Sequence, residues 1–310
     1  SRLKSADEDV ESYIARLPPS EGLAAGFRAW GLEYRWFALL TTVTGNVAAM
    51  LAGTIINVAI PDIMGAFGIS QADAQWLSTA NLAAATVSML ASSWMVRVLG
   101  LRQTVNISMC LLLAGSLLGG LANNTDVMIV SRVMQGITAG VLTPLSTMII
   151  FQVFLPGKQG IAIGVSTVGI ILAPAIGPAI GGILIDTFNW RYVFYLGIPF
   201  SLITLAASFA FMPARQALAT RVPFDWNGMI VLSLALIALL VGLSNGEKDG
   251  WGSDFILGCL AVALVSGAGF VWWELRAEHP LLDLGLFANR NFTIMGINSF
   301  VFGAGLFAST

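Results

Sequence analysis

Val127–Phe151 reads V-M-I-V-S-R-V-M-Q-G-I-T-A-G-V-L-T-P-L-S-T-M-I-I-F, and this stretch decides the fold. A bilayer's apolar core needs roughly 20 helical residues, so the run is long enough to cross one. Its single formal charge is Arg132. A guanidinium at such a depth costs at least about 2.5–3.5 kcal/mol on insertion scales, so it must meet a wet cavity or a partner. Ionisable groups inside membranes mark substrate or ion pathways by default. The competing reading is snorkelling to the outer interface, because Arg132 lies only about five residues, roughly 7–8 Å, inside the run. Arg132, Gly136, Gly140 and Pro144 recur every four residues and share one helical stripe. The glycines let a neighbouring backbone come close, and Gln135 can share the polar surroundings of Arg132.

The rest of the chain agrees with a membrane setting. It is 56% hydrophobic and 10% charged, against roughly 45–50% and 25% for soluble domains. The net charge of −2 comes without any basic block, which speaks against nucleic acid. Cys110 and Cys259 lie in apolar runs and behave as small hydrophobes, so neither a disulfide nor a metal site is expected. No Ser/His, Cys/His or paired-carboxylate constellation occurs at membrane depth, which argues against an enzyme and a cofactor. The amino terminus lacks the pattern of a cleavable signal peptide.

Eight complete spans are expected: Trp36–Ile60, Trp76–Val96, Thr104–Ala122, Val127–Phe151, Ile161–Asp186, Tyr192–Met212, Trp226–Ser244 and Phe255–Trp273. A ninth, Thr293–Thr310, stops short of a full span, so the chain reads as part of a longer protein. With the amino terminus on the cytoplasmic side, the inner segments hold Arg2, Lys4, Arg16, Arg28, Arg35, Arg97, Arg102, Lys158, Arg215, Arg221, Arg276 and Arg290. Only Arg191 and Lys248 fall outside, an asymmetry that sets the topology. Before the first span, Val10, Tyr13, Ile14 and Leu17 predict an amphipathic helix over Asp7–Leu17. Pro18 and Pro19 end it, and Ser20 can cap a second helix, Glu21–Tyr34, whose Leu23, Phe27 and Trp30 suit the membrane surface. A partly ordered cytoplasmic tail is the alternative.

Further polar and small residues sit inside the spans. Thr54 and Asn57 share a face of the first, and Asn46 lies about three turns before Asn57 on the same side. They either glue helices or contact substrate. In the fifth, L-A-P-A-I-G-P-A-I-G-G spaces Ala173, Gly177 and Gly181 for close packing. Pro174 and Pro178 bend that helix, giving either an ordinary packing seam or one that moves. Gly100 permits a tight turn after the second span, beside Arg97 and Arg102.

T-I-I-N-V-A-I-P in the first span, R-x-x-Q-G in the fourth, G-P-x-x-G-G in the fifth and W-R-Y-V-F after it resemble the major facilitator superfamily. F-D-W-N-G at Phe224–Gly228 and H-P-L-L-D-L-x-L-F at His279–Phe287 extend the resemblance to its fourteen-helix drug:proton antiporter branch. It implies an all-α polytopic membrane protein with an incomplete major facilitator fold. A cytoplasmic leader (1–35) precedes a six-helix N-terminal domain (36–212), two linker helices with their loop (213–274) and the start of the C-terminal domain (275–310). It further implies efflux of amphipathic or lipophilic compounds by alternating access, in exchange for protons, across a bacterial inner membrane, and a periplasmic adaptor as partner. An exporter of one metabolite or lipid, and a non-transporting receptor or scaffold, stay open beside it.

By the same resemblance Arg132, Gln135 and Gly136 match the fourth-helix motif, whose Arg is linked to proton coupling or substrate response. Gly177, Pro178, Gly181 and Gly182 match the antiporter motif, and Gly100 and Arg102 parts of the gating loop. The chain departs from the pattern at Ala52, where many members carry Asp, at Arg97, where the loop is often acidic, and at Ser93, where it has Gly. The carboxylates are expected at helix ends or in loops, Asp62 among them, so no buried acid is visible for proton coupling.

Overall fold

The computed structural model describes residues 10–18, 20–213, 223–278, 280–282 and 284–308 of the 310. Arg2, Lys4, Arg215, Arg221, His279 and the outer ends of the expected leader and ninth helices therefore lie outside the described residues.

Every regular element among the described residues is helical. The leader gives α1 (Glu21–Trp30), and the first span gives α2 (Tyr34–Thr54) and α3 (Ile56–Phe67). Then come α4 (Gln71–Leu99), α5 (Leu101–Gly120), α6 (Thr125–Val153), α7 (Gln159–Thr187), α8 (Arg191–Tyr195) and α9 (Gly197–Phe211). The helices α10 (Trp226–Asp249), α11 (Asp254–Glu274) and α12 (Arg290–Ala308) complete the order. Among the described residues, eight helical segments are long and apolar enough to cross a membrane.

Side-chain caps set several starts. Ser70 and Asp73 form a reciprocal capping box on α4 (Asp73 N to Ser70 Oγ 3.2 Å, Ser70 N to Asp73 Oδ2 3.4 Å). Asn124 accepts the Val127 N–H at 2.9 Å on α6, and Asp225 accepts the Gly228 N–H at 2.9 Å on α10. Gly100, at φ 82°, is the whole connection between α4 and α5. A side chain would strain at that angle.

The central element is α6, which packs along α2, α4 and α5. Its apolar residues divide between two separate clusters. Near the leader, Val141, Leu142, Leu145, Ile149 and Val153 join Leu39, Val105, Met109 and Phe154. At the opposite end Met128 joins Ile55, Ile63, Leu77, Trp190 and Phe194. Between them α6 buries Ser131, Arg132, Gln135 and Thr138. A polar layer thus splits the apolar interior across mid-helix.

The structure departs from expectation in four places. The first span breaks at Ile55 and runs on to Phe67, where Gly68 at φ 63° ends it. Pro61 has no N–H to donate backward, yet it is held within α3, and Asp62, expected at a helix end, lies inside that helix and is exposed. The sixth span is divided at Leu196 into α8 and α9, next to Pro199, which can make no bond to the preceding turn. The seventh runs to Asp249 rather than Ser244. Finally, the leader docks: Tyr13, Leu23 and Phe27 are buried with Tyr34 and Phe154 in the first cluster. The Tyr13 hydroxyl donates to the Val153 carbonyl at 3.0 Å, while Trp30 alone of the three expected membrane-facing residues turns outward. The protein's own aromatic surface takes up the apolar stripe that was expected to meet lipid.

Candidate functional site

Arg132 points into the bundle and is 1% exposed. Its Nη1 donates to the Ala52 carbonyl at 2.7 Å and to Gln135 Oε1 at 2.5 Å, Nη2 to the Gly53 carbonyl at 3.1 Å, and Nε to the Leu77 carbonyl at 3.2 Å. Four of the five guanidinium N–H groups are thereby satisfied. The expected water-facing or snorkelling guanidinium is replaced by one enclosed between helices, because backbone oxygens supply the compensation that water would otherwise provide.

Those oxygens come from a particular place. Ala52 and Gly53 belong to the last turn of α2, whose final carbonyls have no intrahelical partner where the helix stops. The Ile55 N–H takes the Leu51 carbonyl, and Arg132 takes the next two. A cation at a helix carboxyl end also meets the negative end of its dipole. Arg132 is therefore the cap that stabilises the break in the first span. The same device recurs: Arg191 Nη1 donates to the carbonyls of Gly120 (2.9 Å) and Ala122 (2.7 Å) at the end of α5. Arg102 donates through Nε (2.9 Å) and Nη2 (2.6 Å) to the Met212 carbonyl at the end of α9.

Two further contacts fix Arg132. Asn81 of α4 donates to the Arg132 carbonyl at 3.0 Å, so α4 and α6 clasp each other in both directions beside the guanidinium. Gln135 relays the network to α5 through Nε2 to Ser116 Oγ at 3.4 Å. The glycine stripe makes this approach feasible. A methyl at Gly136 would strike the Asn81 carbonyl, and one at Gly140 the carbonyl of Ala85 and the hydroxyl of Ser88.

The fifth-helix motif converges on the same break from the other side. A Cβ at Gly177 would lie 2.9 Å from Thr54 Oγ1, and one at Gly181 2.7 Å from Ile55 Cγ1. Gly182 has open space and Pro178 is exposed, so only half of the motif faces the break. The helix α7 continues unbroken through Pro174 and Pro178.

The three polar residues of the first span do not act on one face. Asn46 is buried and donates to Ser146 Oγ at 2.7 Å and to the Leu142 carbonyl at 3.1 Å, bonding α2 to α6. Asn57 is exposed and accepts from Ser78 Oγ of α4 at 3.1 Å. Thr54 bonds its own helix at the Met50 carbonyl, 3.0 Å away. The break at Ile55 lies between Asn46 and Asn57, so the straight-helix register that aligned them does not apply. Gly100 and Arg102 sit away from this site, at the leader end.

Asn81, Ser116 and the Leu77 carbonyl were not picked out from the sequence. Asn81 carried a signal, as an amide inside the apolar second span; the carbonyls carried none. Two motif segments also meet at the leader end of α10 and α11. There Asp225 accepts the Trp273 indole N–H at 3.0 and 2.9 Å, and Glu274 accepts the N–H groups of Leu281 (3.3 Å) and Leu282 (3.4 Å).

Comparison with known proteins places this architecture. The family description "Major Facilitator Superfamily" matches residues 42–310. The "Multidrug transporter protein MdtP" of Bacillus subtilis is 33% identical over 272 residues, which are 86% of this chain and 50% of that protein. The "Multidrug export protein EmrB" of Haemophilus influenzae is 31% identical across 79% of this chain and 48% of its own. The "Tetracenomycin C resistance and export protein" of Streptomyces glaucescens is 32% identical across 99% and 56%. The chain thus spans about half the length of the curated relatives it matches. Among solved structures, the proton:xylose symporter XylE superposes at a TM-score of 0.51 with 15% identity, over 77% of this chain and 52% of that one. A bacterial homologue of the lysosomal transporter Spinster gives 0.51 at 18% identity, over 82% and 65%. The chain belongs to the Major Facilitator Superfamily.

Proposed function

We propose that this chain works, within a longer protein, as part of a secondary active transporter that exports amphipathic or lipophilic small molecules in exchange for protons. The names of its relatives support the substrate class, and the excess of Lys and Arg on one side supports an inner-membrane protein with a cytoplasmic amino terminus. In this reading residues 36–212 form one transporter domain, 213–274 the linker helices and 275–310 the start of the second domain. A periplasmic adaptor is the partner it would take in a two-membrane bacterium.

The observation that carries the mechanism is the capping of a broken first span by Arg132. A guanidinium bonded to backbone oxygens from two helices can exchange acceptors without entering hydrocarbon. Alternating access requires such a two-state element. In one state Arg132 holds the Ala52 and Gly53 carbonyls and the break stays open. When a polar or anionic group of the substrate draws the guanidinium away, those carbonyls are released to the N–H groups one turn on. The smooth seam of Gly177 and Gly181 lets the first span shift against α7. Asn46, Thr54, Asn57 and Gln135 form the polar surroundings of this path.

The test is dye and drug export by the full-length transporter in cells lacking other pumps. Arg132→Ala is expected to abolish export per molecule of transporter in the membrane, and a protonophore to stop export by the parent protein. Unimpaired export by Arg132→Ala would overturn the reading.

A further inference from the structure

Away from Arg132, α10 and α11 leave between them a groove of about 370 Å³, lined by Asn227, Ile230, Val231, Gly269, Trp272 and Trp273. It belongs to the leader end of the bundle, where the Trp94 ring of α4 meets Phe224 and Trp226 at the start of α10. We propose that this groove binds a glycerophospholipid with an anionic headgroup, its phosphate on Arg276 and its acyl chain along Gly269, Val231 and Ile230.

The lining is graded as such a molecule is. Asn227 and Trp272 lie in the first turn of α10 and the last turn of α11, and Arg276 follows two residues after α11 ends. Gly269 and Val231 sit about one turn deeper. At Gly269 an added Cβ would find only Val231 Cγ1 at 3.9 Å, so the missing side chain forms the floor of the groove. Ile230 and Trp272 are exposed on a helix pair long and apolar enough to cross a membrane.

Charge selects the headgroup. The Arg276 guanidinium stacks on the Trp272 ring, 4.1 Å from its centroid. Stacking uses the face of the planar group and leaves its edge N–H donors aimed outward, the geometry that recognises phosphate. No salt bridge engages Arg276 among the described residues. Two carboxylates share this end, and both are already engaged. Asp225 accepts from the Trp273 indole and the Gly228 N–H, and Glu274, 4% exposed, accepts from Leu281 and Leu282. Among the described residues nearby, Glu278 is exposed beyond the helix end. An anionic lipid thus meets Arg276, without a salt-bridge partner among the described residues, on an aromatic platform at the depth where basic pockets between membrane helices hold lipid headgroups.

The proposal needs α10 and α11 to span a bilayer and is independent of what the transporter exports. It is tested by native mass spectrometry of the purified full-length protein titrated with phosphatidylglycerol or phosphatidylcholine. The first phosphatidylglycerol is expected to bind about fivefold tighter than phosphatidylcholine, the ratio one Arg near the surface supplies. Arg276→Gln, an exposed substitution that gives up the contact with the Trp272 ring, should erase that preference. Gly269→Leu, which fills the floor, should weaken both lipids. Equal binding of the two lipids by the parent protein, or a preference that survives Arg276→Gln, overturns the proposal. So does unchanged binding in a folded Gly269→Leu protein, as would occur if another part of the molecule covers the groove.

Discussion

At the scale of residues, three arginines do the same physical work. Arg102, Arg132 and Arg191 each carry charge to the carboxyl end of a helix other than their own. A lysine cannot substitute at the central position, because one ammonium cannot span the carbonyls of Ala52, Gly53 and Leu77 together. Arg132→Lys is therefore expected to lose export while keeping its charge, and to melt earlier in detergent by thermal-shift measurement. Each orphaned carbonyl costs about 1–3 kcal/mol. Asn81→Ala removes the return half of the clasp and should cost about 1 kcal/mol, with slower export as the second readout. If Asn81→Ala matched the parent in both, the clasp would have no role in holding Arg132. The sequence made Arg132 conspicuous as a charge amid apolar neighbours, but its acceptors were invisible. A backbone carbonyl looks the same under every side chain, and the two that matter lie about eighty residues upstream.

At the scale of elements, the apolar runs marked the spans because hydrocarbon thickness imposes a length that local composition records. Where a span breaks was not recorded locally, since the break at Ile55 is stabilised by a residue of another helix. The leader shows the same division. Its apolar stripe was legible at helical spacing, whereas its partner, the aromatic end of α6 around Phe154, could be known only from the fold. Phe27, fully buried there, is predicted to cost about 3–5 kcal/mol on replacement by Ala. Proteolysis of the leader in detergent should accelerate accordingly; an unchanged rate would mean that the leader is not docked. The glycines separate by what faces them. Gly136→Ala and Gly140→Ala must push α4 from α6, an overpacking cost of about 1–3 kcal/mol each. Gly182→Ala, with open space around it, should be neutral or slightly stabilising as a better helix former. Equal thermal shifts at all three positions would contradict the packing described.

At the scale of the molecule, the excess of positive charge at one end predicts how the protein lies in the membrane. Single cysteines at Lys158 and Asp126, in a background lacking Cys110 and Cys259, should react from opposite sides. A membrane-impermeant maleimide added to intact cells is expected to label position 126 and to reach position 158 only after lysis. Labelling in the reverse order would invert the topology and, with it, the direction of export.

The band of hydroxyls, amides and guanidinium between the two apolar clusters has a mechanical consequence. Oil-filled cores resist shear, because any slip opens voids that nothing fills. Here the upper and lower packings meet across directional bonds, each costing about 1–3 kcal/mol to leave unmade. Because α4, α5 and α6 run unbroken through both packings, this layer pins them in one register, and any shift of one helix along another must exchange its acceptors together.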